Sequence, residues 1–288
     1  MQLPAKSQLK LSMMNPAEFD NIAKVEDSFW WFDGMHRIVM SLMKQVWDGD
    51  RPSRILEVGC GTGGFAERLR RQYGGSMDLC DVAAEGLSYA RRRGLSRLVQ
   101  GDARSLPYAD AAYDCVLSLD VLVHFPPGAE TDALDEFVRV LKPGGFLILR
   151  VSALNMLRSR HSEFTLERQR FTRPRLLTAI RHCGLEPVRC TYVNAILLPL
   201  AVLKFRVWEP LLGKPPASGL TAVPAWLGKV LRAGLHAECT LLTAGWNFPI
   251  GQSLLLFARK PASVSMSSGE SIVRTTSYRC DADVQLKM

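Results

Sequence analysis

The stretch Ile55-Leu56-Glu57-Val58-Gly59-Cys60-Gly61-Thr62-Gly63-Gly64 decides the architecture of this chain. It is a short apolar run closed by a glycine cluster, and residues 65–73 beyond it read as a helix. Glycines directly after a strand let the backbone turn tightly and approach a ligand where any Cβ would clash. The stretch therefore opens a nucleotide-binding α/β unit. It does not say which kind. Gly59, Gly61 and Gly64 also satisfy the GxGxxG spacing of dinucleotide folds, and Asp81, about twenty residues on, suits a ribose diol in either class.

Outward from this loop, strand-like runs recur at 54–58, 77–81, 97–101, 113–119 and 146–151, separated by helical stretches at 65–73, 84–93 and 131–141. Apolar strands alternating with helices predict a mainly parallel sheet covered on both faces. Pro143-Gly144-Gly145 ends the helix before the fifth strand, because proline cannot continue it and glycine supplies the turn. Residues 16–48 read as N-terminal helices, 52–193 with 251–260 as the core, and 194–248 as a helical insertion between two final strands at 186–193 and 253–259. Residues 1–15 and the Ser/Thr-rich 261–288 read as disordered.

A chain of 288 residues, 47% hydrophobic and 22% charged, is long enough for one large α/β domain with a modest addition. Its net charge of +8 favours anionic partners. The excess is dispersed, however, and the clusters Arg68/Arg70/Arg71 and Arg91/Arg92/Arg93 read as solvated helix faces. Seven cysteines without a CxxC pair fit small buried hydrophobes rather than a disulfide framework or a zinc site. The start of the chain has no apolar stretch of signal-peptide length, and no segment reaches the about 18 apolar residues of a membrane span. A cytoplasmic protein is expected, with a peripheral position at the inner face of the membrane as a variant of that reading.

Three features resolve the ambiguity of the glycine loop. Glu57 just ahead of it suits a cationic ligand group and has less purpose beside a pyrophosphate. Gly101-Asp102-Ala103 closes the third strand, where a carboxylate and a backbone N–H can read adenine. Val138-Arg139-Val140-Leu141-Lys142-Pro143-Gly144-Gly145-Phe146 leads into the fifth. With Cys80-Asp81-Val82-Ala83 and Tyr113-Asp114-Cys115-Val116-Leu117-Ser118, these motifs come in the order of the class I methyltransferases, which the chain resembles over roughly residues 50–151. The resemblance, of the methyltransferase type 11 kind, implies a Rossmann-like fold with a mainly parallel seven-stranded sheet. It implies S-adenosyl-L-methionine (SAM) as cofactor. Glu57 and the backbone of Gly59 and Gly61 would meet its methionine part, Asp81 its ribose hydroxyls, and Asp102 with the Ala103 amide its adenine. The segment from Ser118 to Asp120 would border the methyl group.

Methyl transfer from a sulfonium needs alignment, exclusion of water and, where the acceptor must lose a proton, a base. Two groups are candidates. His124 lies in Leu119-Asp120-Val121-Leu122-Val123-His124-Phe125, which resembles a family stretch reading leucine–glutamate–histidine, with Val123 in place of the glutamate. His161 and Glu163 lie in a polar loop followed by Arg168-Gln169-Arg170-Phe171-Thr172, similar to a bacterial subgroup of class I methyltransferases. That subgroup also has a tryptophan-rich N-terminal helix, here Phe29-Trp30-Trp31-Phe32 before His36-Arg37. Quinone O-methyltransferases carry a similar pattern, which implies Arg37 as a ligand of the SAM carboxylate.

The insertion opens with Asn194-Ala195-Ile196-Leu197-Leu198-Pro199-Leu200-Ala201-Val202-Leu203-Lys204-Phe205-Arg206-Val207-Trp208. It suits an apolar cap over a lipophilic acceptor, a surface that dips into a membrane interface, or a buried helix packed on a second one near 227–239. A small or lipophilic acceptor methylated on oxygen is the expectation. No nucleic acid and no metal are expected. The pI of 9.3 alone keeps an RNA methyltransferase as an alternative, since no RNA-binding module or Asn-Pro-Pro-Tyr-like signature is present. A SAM-binding partner protein without turnover is a second alternative.

Overall fold

The computed structural model describes residues 14–47, 52–213, 215–220 and 223–262. The disorder expected at 1–13 and 263–288 lies outside the described residues. Asn15, expected to be disordered, instead caps the first helix, its side chain accepting from the Ala17 amide at 3.1 Å.

β1 (Arg54–Val58) is the apolar run that opens the glycine loop; β2 (Ser76–Asp81) and β4 (Tyr113–Leu119) pair with its two edges in parallel, and its faces are buried, Ile55 in one core and Leu56 and Val58 in the other. β3 (Leu98–Gln100) continues one side of the sheet, and β5 (Leu141–Ser152) the other. β7 (Ser253–Arg259) then runs antiparallel between β5 and β6 (Glu186–Val193), giving the order β3-β2-β1-β4-β5-β7-β6. The strand order reverses between β1 and β4, and open α/β sheets form their ligand crevice where strands diverge in this way. The residues just past β1 and β4 are the glycine loop and Asp120.

The alternation along β4 shows how both faces are covered. Cys115 and Leu117 join α2 (Trp30–Val46), α3 (Gly64–Tyr73) and α10 (Ala225–Thr243), whereas Val116 joins α5 (Glu130–Val140) and α7 (Arg173–His182). The remaining helices are α1 (Pro16–Val25), α4 (Ala84–Arg92), α6 (Arg160–Phe164), α8 (Leu198–Val202) and α9 (Glu209–Leu212), with a π-helical stretch (Leu203–Trp208) between the last two.

Three local expectations change. The helical reading of 16–48 breaks into α1 and α2 at 26–29, where the Glu26 side chain turns inward onto Thr62 and Arg93. The fifth strand begins at Leu141 rather than 146, so the Pro-Gly-Gly turn, with Gly144 at φ +79°, is a distortion inside the strand. The insertion's second helix runs from 225 to 243 and packs on α2, where a Cβ at Gly34 would collide with Leu235. Its Glu238, fully buried, accepts from the Asn194, Ala195 and Ile196 amides and ties α10 to the end of β6.

The six described cysteines are free thiols. Among the described residues no helix is long and apolar enough to cross a membrane.

Candidate active site

The glycine loop is held in shape by backbone that only glycine adopts readily. Gly59 and Gly61 have φ of +78° and +51°. A Cβ on Gly59 would strike Val121, while one on Gly61 would meet nothing nearer than Phe19 at 4.0 Å. Gly61 therefore leaves open space beside its backbone, on the wall of a cavity of about 860 Å³. The Asp81 carboxylate ties this loop to the one after β2, accepting from the Gly61 amide at 2.7 Å and the Ala83 amide at 2.8 Å.

Glu57 lines the same cavity, buried, with its Oε2 lacking any hydrogen-bond partner. Burial pushes its carboxyl up to about 8, and the nearby charges of Asp81 and Glu26 add to the rise. Glu26 is itself buried, bonded to Thr62 Oγ1 at 2.7 Å and paired with Arg93. An anionic pyrophosphate would meet three carboxylates here, whereas an ammonium would supply what Glu57 lacks. The donor set fits the methionine end of SAM, and the dinucleotide alternative loses its footing.

Asp102 and Ala103 also line the cavity. Burial raises the Asp102 carboxyl, but Arg104 outweighs it: Nη2 at 2.6 Å, Nε at 3.0 Å and the Arg104 amide at 2.9 Å leave it below its ordinary value.

On the side facing the insertion, Asp120 follows β4 in the left-handed region, at φ +61°, a conformation that costs a non-glycine residue about 1 kcal/mol or more. Its Oδ2 accepts from Arg150 Nη2 at 2.6 Å and Nε at 3.0 Å. Asp120 Oδ1 and Arg150 Nη1 are both buried without a partner, and both residues line the cavity. The Arg150 guanidinium lies 5.0 Å from the Trp31 ring centroid. His36 stands beside it, held well below the ordinary imidazole value by burial and by the charge of Arg150.

The two candidate histidines differ in what their rings meet. His161 Nδ1 accepts from the Gly219 amide at 2.9 Å, so in the neutral ring the proton is on Nε2. His124 lies against the backbone of Leu166, and its Nδ1 is buried without a hydrogen-bond partner. Burial lowers both, His161 to about 4 with help from the charges of Lys204 and Arg170. Both line the cavity.

Three expected site residues stand elsewhere. Glu163 is exposed and off the cavity wall, because the Ser159/Ser162 capping box turns it to the solvent face of α6. The acid of this loop that lines the cavity is Glu167, 2.8 Å from Arg170. Arg37 is exposed and borders a separate surface depression with Arg68 and Arg71, since α2 turns its neighbour His36 inward instead. Ser118 is buried within β4 and does not line the cavity. Sequence reasoning missed Glu18, Glu26, Arg150 and Glu167. All four aromatics of Phe29–Phe32 reach the cavity wall.

Fold and site together define an α/β protein with a nucleotide-type crevice at the switch point of its sheet. Residues 55–145 match the family model described as a methyltransferase domain. The chain is 31% identical over 203 residues to the ubiquinone biosynthesis O-methyltransferase of Xylella fastidiosa, covering 64% of this chain and 72% of that protein. It is 40% identical over 100 residues to a fatty-acid O-methyltransferase of Mycolicibacterium smegmatis, covering 33% and 35%. With several such relatives the match spans about a third of their length. Geranyl diphosphate C-methyltransferase from Streptomyces coelicolor shares the fold, with a TM-score of 0.50 at 15% identity over 77% of this chain and 78% of that one. The chain belongs to the class I SAM-dependent methyltransferases, and SAM is its cofactor.

Proposed function

We propose that this protein transfers a methyl group from SAM to an oxygen of a small lipophilic acceptor by in-line displacement. The observation that carries the reading is the continuity of one cavity. It runs from the unpartnered Glu57 past the His124 ring to the apolar side chains Leu197, Leu200, Leu203, Trp208, Leu227 and Leu231 of the insertion. Its volume matches sites that take a drug-sized ligand beside a cofactor. The two relatives named above as O-methyltransferases, one of fatty acids and one of ubiquinone biosynthesis, agree with an apolar acceptor.

Bound SAM supplies a methyl group on a cationic sulfur, which is electrophilic without further activation. Glu57 would hold the ammonium, Asp81 the ribose hydroxyls, and Asp102 with the Ala103 amide the adenine. Arg150, rather than Arg37, is the buried cation with an unspent donor for the methionyl carboxylate. His124 is the base for a hydroxyl acceptor: it lines the cavity, and burial favours its neutral ring, which keeps one nitrogen lone pair. His161 offers an Nε2–H and acts as a donor that orients the acceptor. The aromatics of 29–32 and the insertion exclude water.

The test is incubation of the purified protein with methyl-labelled SAM and a bacterial extract divided into lipid, RNA and aqueous fractions. Label in the lipid fraction with stoichiometric S-adenosylhomocysteine supports the proposal. Label in RNA overturns it in favour of an RNA methyltransferase, and SAM binding with no product in any fraction marks a binding partner without turnover.

A further inference from the structure

The insertion has an outer surface that its role as a cavity roof does not explain. Leu211 is 78% exposed, Trp226 67%, Trp208 63% and Val230 60%, and Leu200, Leu203 and Val207 are also open to solvent. Soluble monomers rarely leave so many large apolar side chains together on one element. The exposed positions 200, 203, 207, 208 and 211 recur at helical spacing, and Trp226 and Val230 are one turn apart on α10. Met156, also exposed, lies in the short turn at 155–157 that packs against residues 203–208 and extends the same surface.

This surface is continuous with the cavity mouth. Leu200, Leu203 and Trp208 line the cavity and remain exposed, and Leu227 and Leu231 line it one position along α10 from Trp226 and Val230. The rim of the site is thus apolar on its inner and outer sides.

The charge around it is of one sign. Residues 195–248 carry Lys204, Arg206, Lys214, Lys229 and Arg232 against Glu209 and Glu238. Both acids are committed, Glu238 buried on three backbone amides and Glu209 accepting from the Arg160 amide at 3.1 Å. Arg206 and Lys229 are exposed beside the apolar side chains. Large apolar side chains with the exposed cations Arg206 and Lys229 set among them match the two layers of an anionic bilayer surface, hydrocarbon beneath phosphate. A second protein chain would also cover the apolar side chains, but it gives no comparable reason for a cationic border.

We propose that the 200–211 segment and the start of α10 dock this protein on an anionic phospholipid surface, so that the cavity mouth opens toward the lipid and a lipophilic acceptor enters without crossing water. The acceptor route rests on the methyltransferase reading; the docking does not, and it is tested without turnover.

The experiment is sedimentation of the full chain with vesicles of phosphatidylcholine, with and without phosphatidylglycerol. The wild type is expected to bind the anionic vesicles and to be released as salt is raised. Leu211→Glu/Trp226→Glu, both exposed and off the cavity wall, should weaken binding by about tenfold or more. Arg206→Glu, a change of two charges, should weaken it by about thirtyfold on anionic vesicles and little on neutral ones. SAM affinity, measured by calorimetry, should be unchanged in every variant and certifies folding. Failure of a SAM-competent wild type to bind either vesicle overturns the proposal. So does a dimer that Leu211→Glu/Trp226→Glu dissociates in the absence of vesicle binding, which would make the surface a contact between copies.

Discussion

Glu57 sits where the ligand-free protein cannot easily keep it charged, and this gives SAM binding a characteristic pH dependence. Burial, together with the charges of Asp81 and Glu26, raises its carboxyl to about 8. A carboxylate engaged by an ammonium returns toward its ordinary range, so binding expels a proton wherever free Glu57 is protonated. At pH 6 only about 1% of the free protein is ionised at this position, and affinity should be about a hundredfold below that of the ionised form. On the alkaline side the ligand's own α-amino group, with an ordinary value of about 8, loses the charge that Glu57 needs. Affinity should therefore peak near pH 8 and fall about tenfold per pH unit on either side. Calorimetry from pH 6 to 9.5 in two buffers of different ionisation enthalpy reads both the affinity and the protons released, about one per SAM at the acid end. Glu57→Gln should lose the acid limb and keep the alkaline one. A wild-type affinity that is flat between pH 6 and pH 8 would refute the reasoning. Because the folded value lies above the ordinary 4.5, Glu57 also contributes stability that is full below pH 4.5 and is lost as pH rises through about 8, at up to about 1.4 kcal/mol per pH unit. Glu57→Gln should thus raise the Tm of the ligand-free protein at pH 8.5 and leave it unchanged near pH 4.5.

Other residues give separate tests. His124→Asn should lower kcat by about a hundredfold or more on a hydroxyl acceptor while SAM affinity holds, whereas His161→Ala should act mainly through KM. Since burial keeps His124 below 6.5, the kcat plateau should extend to more acid pH than an ordinary imidazole allows. Arg150→Met should weaken SAM binding by about tenfold or more, through a lost charge-assisted bond of about 1.5 kcal/mol or more, and Arg37→Ala should leave it within about twofold. Glu238→Ala strands the buried Asn194 amide and two half-buried ones and should cost about 2 kcal/mol, read as a fall in the denaturation midpoint, with Glu238→Gln recovering part of it.

What could be read from sequence was what is local. The glycines, Glu57 and Asp81 fall within one strand–turn–helix unit and the next strand, so their spacing alone brings them to one edge of the sheet. The class of fold followed from strands and helices that alternate in the same way. Glu18 and Arg150 reach the same cavity from α1 and from the end of β5, more than a hundred residues apart, and no local pattern marks either. Glu167 rather than Glu163 lines the cavity for a smaller reason. Glu163 lies within α6 and Glu167 three residues beyond its end, and the helix that the Ser159/Ser162 capping box starts, visible as two serines three apart, leaves Glu163 exposed. The histidines make the limit sharper. Their identity as candidates was legible, but a histidine's usable nitrogen is set by what its other nitrogen meets. For His161 that is the amide of Gly219, 58 positions away in the insertion. Through Gly219 the insertion thus holds the neutral His161 ring with its proton on Nε2, a state that nothing near His161 in the sequence sets. A replacement of the insertion that kept the cavity apolar but lost the Gly219 amide would free His161 Nδ1, and with it a second base.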